Sequence, residues 1–570
     1  MIRRCLAATL VALLAAPAMA AAPKPAVDAY RLSPVLENGK VTALAVTITL
    51  PADADGQTRL RLPGDWGGGE KLWRFVKDLT VEGGAVVAQG DDFRLVKSRP
   101  RAPLTVRYRV VSAYDGEPPV NSPNFAQPII GPDSVYVIGE TIFVTAEGRD
   151  EDKARFTWDP AGSNLVFASD LESLGAGKGT VAVLRDSVAI AARDLTVLQR
   201  DAGGAPLRVA VRGTFAFTPA AFADMSARVL AANRAFWGDG KEPFLITLAG
   251  QSAPQGWTSR RGTGLGDAFA VIATQGSPLD DYRLFLAHEY FHTWNSARIG
   301  GLKEGPDEPL GYWFSEGFTD YYARKLSLRS GLVDLEAFVD AWNEVLQVYG
   351  TSPVRDAPNA EIAARFWRDN SAQKLPYQRG ALIAVLVDQR LQPQGGLDPL
   401  MLAMRDYAKG RNPAEWDHSA AILMPRVLKV RTGVDLAPDL ARWIDRGETV
   451  VLPPDAFGGC LTVERITRPI FDRGFDADAS RASGVFTGVA PDGPAYAAGL
   501  RDGMKRLGAK GGKLGDSSVE IEYQVSDAQG AQRSIRFKPE GKTMVSFQRI
   551  VLPADLTPQA RAACVKAVAG

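Results

Sequence analysis

Two histidines stand four residues apart in His288-Glu289-Tyr290-Phe291-His292, closing a stretch that reads as a helix. Side chains at i and i+4 share one face of an α-helix, so both imidazoles reach a single ion. Zn²⁺ suits that spacing, and the glutamate between them is placed to act on a water held by the ion. The chain has three histidines in all, and two of them are here.

A second segment completes the set. In Trp313-Phe314-Ser315-Glu316-Gly317-Phe318-Thr319-Asp320, Glu316 lies 24 positions after His292, room for a turn and a second antiparallel helix. That is how a His₂Glu zinc site is assembled. Asp320 falls one helical turn beyond Glu316, where its carboxylate accepts the second N–H of a ligand histidine. Tyr312, Trp313, Phe314, Phe318, Tyr321 and Tyr322 mark the helix as buried. A buried carboxylate pair needs a cation or hydrogen bonds.

These residues carry a family resemblance. HEYFHTWN at 288–295 and WFSEGFTDYYA at 313–323 resemble the PDZ-containing glycyl aminopeptidases, a gluzincin family distantly related to the aminopeptidase N family. Pro376-Tyr377-Gln378-Arg379-Gly380-Ala381-Leu382 is similar to the Tyr-x-Lys-Gly-Ala pattern of both. The resemblance implies a thermolysin-like zinc peptidase acting on peptides or proteins, with Tyr377 as the oxyanion donor. From the residues alone, Tyr377 reads as an aromatic packing on the core at a helix start. His418, the third histidine, is a competing donor or a surface residue of a polar turn. The family also carries Gly-Gly-Leu-Glu-His on the strand before the zinc helix, whose glutamate grips a substrate's α-amine. Here Gly264-Leu265-Gly266-Asp267-Ala268-Phe269 stands in that region, leaving Asp267 as a shorter substitute. The resemblance thus implies an aminopeptidase, with a zinc endopeptidase or a non-catalytic peptide-binding scaffold as alternatives.

The rest of the chain agrees with an exported multidomain α+β protein. Arg3 and Arg4, the apolar run from Leu6 to Ala16, and Ala18-Met19-Ala20 have the pattern of a signal peptide over residues 1–20. Its apolar run is too short to span a bilayer, and no later run reaches 18 apolar residues, so a periplasmic or secreted protein is expected. Loss of Arg3 and Arg4 leaves 64 basic against 65 acidic residues, a balance that suggests no nucleic-acid partner. Cys460 and Cys564 then remain, a disulfide in an oxidising compartment or else two buried thiols.

Residues 21–205 alternate as half-buried strands, for example Leu44–Leu50 and Leu104–Val110, and read as a β-sandwich-like domain. Residues 206–455 read as the thermolysin-like catalytic domain. Strands are expected at 207–211, 243–248 and 268–273, the last at the sheet edge, with a loop over 250–266. Helices are expected at 218–236, from Ser277 as N-cap through the histidines, and at 312–330, 334–349, 377–392, 397–408 and 437–446. In 456–570, Gly484-Val485-Phe486 and the segment 493–503 resemble a PDZ domain. Its carboxylate-binding loop survives only as Arg473-Gly474-Phe475-Asp476. Peptide capture and a purely structural role both fit, and its partner is unspecified.

Overall fold

Alternation of apolar and polar residues pays out first in the N-terminal sheets. A computed structural model describes residues 27–120, 126–174, 179–253, 258–300, 307–409 and 420–570. The signal-like residues 1–20 and His418 lie outside the described residues. Leu44, Val46, Ile48 and Leu50 point inward from the strand Lys40–Pro51, which pairs antiparallel with Pro103–Val110, Leu44 opposite Val110. These belong to a six-stranded sheet, followed by two four-stranded sheets.

The sheet that leads into the histidine segment has five strands: β1 (Thr196–Asp201), β2 (Pro206–Arg212), β3 (Phe244–Gln251), β4 (Arg260–Leu265) and β5 (Ala268–Thr274), in the order β1-β2-β3-β5-β4. It therefore begins one strand earlier than residue 206. All residues of β3 are buried, because both faces of the sheet are covered. Ile246 and Leu248 pack under the helices, while Leu245 and Ala249 pack on Tyr136, Ile138 and Ile190 of an N-terminal sheet.

Two expectations are corrected here. The edge strand is β4, in the segment read as a loop, and β5, read as the edge, lies inside the sheet. Gly262 and Gly264 lower the strand propensity of β4, but its ladder to β5 holds it extended, from Arg260 opposite Ala273 to Leu265 opposite Ala268. A strand buried on both faces reads as a continuous apolar run, as Ala268-Phe269-Ala270-Val271-Ile272-Ala273 does.

Helix α1 (Pro219–Trp237) is capped by the Thr218 hydroxyl and ends on Gly238 at φ +69°. Next come α2 (Asp281–Phe291), α3 (Tyr312–Arg329), α4 (Leu335–Thr351) and α5 (Asn370–Leu391). Helix α2 starts three residues later than read: the Ser277 hydroxyl bonds Thr274 at 2.9 Å instead of capping the helix. Helix α5 starts seven residues earlier, because the Asp369 carboxylate accepts the Ser371 and Ala372 N–H groups and the helix then runs through Pro376. Beyond α3, Gly331 at φ +67° ends the helix as its sequence position predicts.

The C-terminal region divides its loyalties. Phe486, Leu500, Val525 and Phe537 form a core of their own around a three-stranded sheet. Val463 and Ile550 of the two-stranded ribbon join the core under the five-stranded sheet and its helices, as do Cys564 and Val568 of α6 (Pro558–Ala569). The Asn343 side chain of α4 bonds the Ile550 backbone both ways, at 3.0 and 2.6 Å. The Cys460–Cys564 disulfide closes this arrangement across 104 positions. No helix among the described residues is long and apolar enough to cross a membrane.

Closing a loop of about 100 residues is worth up to roughly 4–5 kcal/mol through the unfolded state. Replacing both Cys460 and Cys564 by Ser should therefore lower the urea midpoint clearly. The difference from wild type should vanish when wild type is unfolded under reducing conditions.

Candidate metal centre

One face of α2 is apolar: Tyr282, Leu286, Tyr290 and Phe291 pack against the core, with Tyr282 edge-on to Phe222 and Phe291 stacked on Tyr322. That seating turns His288 and Glu289 toward α3, with His292 at the helix end. Helix α3 is buried nearly all round, and its half-buried residues Glu316 and Asp320 meet the histidines.

His288 Nε2, His292 Nε2 and Glu316 Oε2 form a triangle with sides of 3.1, 3.2 and 3.3 Å. The protons on the far nitrogens explain what this triangle is for. His292 Nδ1 lies 2.8 Å from the Asn295 carbonyl, which only accepts, so Nδ1 carries the proton. His288 Nδ1 lies 2.9 Å from the Asp320 carboxylate and donates likewise. In the neutral rings, two imidazole lone pairs and a carboxylate oxygen then converge on one point. Ligands about 2.0–2.1 Å from a tetrahedral ion stand about 3.3–3.4 Å apart, close to the observed sides. The donor set therefore fits a first-row divalent ion.

The electrostatics point the same way. Burial alone would raise the Glu316 carboxyl, but His292 and His288 hold it ionised, well below the usual range. Burial opposes charge on His288, yet its hydrogen bonds to Asp320 and Glu316 carry the imidazole up to about 10. Asp320 is itself held low against burial by Arg324, 3.1 Å away, and by His288. Glu289 faces the same cluster, and burial raises its carboxyl, a suitable setting for a group that takes and returns a proton.

Tyr377 is brought into the site. Its ring stacks on His288 at 5.8 Å between centroids, and burial followed by the nearby Glu316 and Glu289 charges drives its hydroxyl far above its ordinary value. A glycine contact makes this possible. Gly380 of α5 meets Gly317 of α3, and a methyl on Gly380 would collide with the Trp313 carbonyl. The Arg379 guanidinium, almost fully buried, donates to the carbonyls of Arg355 and Ala357 at 2.7 and 2.8 Å and anchors the loop beside α5.

Asp267 is not brought to the triad. It occupies the turn between β4 and β5, where its carbonyl accepts the Leu245 N–H. Its charged surroundings are Glu242, Arg298 and Arg234, and Asp170 and Asp186 feel its charge from the N-terminal side. No grip on a substrate amine follows from that position. Conversely, Asn295 was missed. Buried completely, it donates to the Ser315 carbonyl and the Thr319 hydroxyl at 3.3 and 3.1 Å, tying the α2 exit to the start of α3. Its place three residues after His292 was the available signal.

Comparison with known proteins agrees with this geometry. The sequence over 281–383 matches the profile of the M61 glycyl aminopeptidase family. Across 95% of this chain and 100% of the other, the structure is similar to an aminopeptidase N family protein from Idiomarina loihiensis, with a TM-score of 0.68 and 15% identity. An M1 zinc metallopeptidase from Deinococcus radiodurans aligns over 75% of this chain and 95% of its own, with a TM-score of 0.45 and 19% identity. Curated protein sequences give no significant match.

Removing the Asp320 charge should weaken metal binding by about 10–100-fold in Asp320→Asn, read by chelator competition. Because metal-free His288 keeps its proton up to about pH 10, the metal must displace it at neutral pH. Apparent affinity in wild type should thus rise from pH 6 to 8, with protons released to the buffer. Gly380→Ala should cost about 1–3 kcal/mol or more by forcing α5 away from α3, a loss visible in the melting temperature.

Proposed function

We propose that the protein is a zinc-dependent peptidase, with His288, His292 and Glu316 holding the ion and Glu289 and Tyr377 serving the reaction. The observation that carries this reading is the convergence of two lone pairs and a carboxylate beside a half-buried glutamate. Zinc in this setting supplies a Lewis acid that makes water a better nucleophile and polarises a peptide carbonyl. Glu289 takes a proton from the attacking water and returns it to the departing amine. Its raised affinity for a proton, caused by burial, suits both halves of that task. The Tyr377 hydroxyl keeps its proton at any physiological pH and donates a hydrogen bond where negative charge develops on the former carbonyl oxygen. Asp320 and Asn295 keep the two imidazoles in the tautomers that leave Nε2 free.

Aminopeptidase action is the finer reading, supported by the M61 glycyl aminopeptidase profile over 281–383. Export is supported by the signal-like residues 1–20 and by the disulfide, which persists in oxidising compartments. The C-terminal region we take as a PDZ-like module held against α4.

Glu289→Gln should abolish hydrolysis of a peptide library while zinc content stays near one per chain. Tyr377→Phe should lower kcat by about 10²–10³-fold with little change in KM, because the lost hydrogen bond forms in the transition state. Loss of residues from free N-termini with N-acetylated peptides untouched supports the exopeptidase; internal cuts in acetylated peptides would make the enzyme an endopeptidase. A purified protein that takes up no zinc would overturn the whole reading.

A further inference from the structure

A cavity of about 490 Å³ lies beside α3, where α4, α5, α6 and the segment 455–459 meet. Its volume falls in the range of small-molecule sites, roughly 300–1,000 Å³. Among the described residues that line it, none belongs to the metal centre. The floor is aromatic: Trp342 stands edge to face with Phe457 at 5.3 Å and with Phe338 and Tyr321 at 6.3 Å each. At the mouth, Gln392, Asp455, Gly459 and Ala567 are exposed to solvent. Gly459 has open space where a side chain would stand. Cys460 follows that glycine and bonds Cys564 of α6, so two walls of the cavity are joined covalently.

Hydrogen bonding decides what such a cavity takes. Lys325, on the floor, lies 3.1 Å from both Asp388 and Asp398. Asp388 also accepts the Leu397 N–H at 2.7 Å, Gln392 at 2.9 Å and the Tyr321 hydroxyl. Asp398 accepts Tyr322 at 3.0 Å and pairs with Arg329 at 2.6 Å. Two carboxylates thus meet two cations, and the charge closes on itself. One donor is left over. The Trp342 indole N–H is fully buried and has no hydrogen-bond partner among the described residues. A buried donor of this kind is costly until an acceptor reaches it. A charged ligand would lie beside a cluster already balanced, and its desolvation would go uncompensated. Asp455, the remaining carboxylate, is at the exposed mouth and is bonded to Gln389 at 3.2 Å.

We propose that this cavity binds a small, uncharged aromatic molecule bearing a carbonyl-type oxygen, with Trp342 donating to the oxygen and Phe338 and Phe457 covering the ring. The bound molecule would bridge α3, which carries Glu316, to the C-terminal helix α6. The site is separate from the metal centre, so it stands or falls independently of the peptidase reading.

The test titrates the full chain with four probes of one shape, benzamide, toluene, benzoate and benzylamine, read by saturation-transfer NMR. Benzamide should bind about tenfold more tightly than toluene, the difference one hydrogen bond makes, and more tightly than either charged probe. Trp342→Phe keeps the aromatic floor and removes the N–H. It should bring benzamide down to the level of toluene and leave toluene unchanged. Ala567→Trp fills the mouth from an exposed position, where folding is least at risk, and should abolish binding of every probe. Failure of benzamide to bind, or equal binding of benzamide and toluene, would leave the cavity to solvent and overturn the proposal. Tighter binding of benzoate or benzylamine would overturn the uncharged ligand. Benzamide binding that survives Ala567→Trp would place the probe elsewhere and overturn the site.

Discussion

Three electron-pair donors held 3.1–3.3 Å apart repel unless something positive lies among them. Protons or a metal ion meet that demand, and most of the neighbouring structure chooses which. Asp320 and the Asn295 carbonyl occupy the Nδ1 protons and leave the Nε2 lone pairs facing inward. Arg324 then balances Asp320 on its outer side, so the chain of charge runs from guanidinium to carboxylate to imidazole and would end on a bound ion. Each link lowers the electrostatic cost of the next.

Such a cluster needs rigid support, and the aromatic packing supplies it. Phe291 and Tyr322 stack across α2 and α3, Trp237 and Trp294 stack beside them, and Tyr290 packs on Phe244 and Trp294. Behind α3, Lys325 is buried between Asp388 and Asp398 at 3.1 Å from each, which fixes α3 to α5 from the other side. The Gly317–Gly380 crossing lets the two helices approach closely enough for Tyr377 to lie over His288. Glycine there serves proximity rather than backbone freedom, since neither residue has positive φ.

The C-terminal region is bound to this frame at several points of different kinds. Its ribbon shares hydrogen bonds with Asn343, Gln548 bonds both the N–H and the carbonyl of Leu452, and Arg329 donates to the Ala569 carbonyl. A side chain on Gly350 would strike Phe547, so α4 and the ribbon are in backbone contact. Catalytic helices and C-terminal sheets therefore share one core at their junction, while Phe486, Val525 and Ile535 keep a separate one.

The spacing of His288, His292, Glu316 and Asp320 was legible in the sequence because helix periodicity alone puts them on facing surfaces. Alternation likewise revealed Lys40–Pro51 and Pro103–Val110, and a left-handed glycine marked the end of α3. The edge strand β4 escaped because its glycines give no periodic signal and its hydrogen bonds come from β5, a partner that local sequence does not name. Asn295 and the Gly317–Gly380 contact escaped for a related reason: each matters only through an atom far along the chain. Asp267 shows the converse, a residue suggested by its place in the sequence that the β4–β5 turn directs toward Glu242 and Arg298. Local periodicity determined which side chains share a helix face; the distances between helices, which decide what those side chains meet, came from packing that only the tertiary structure brings together.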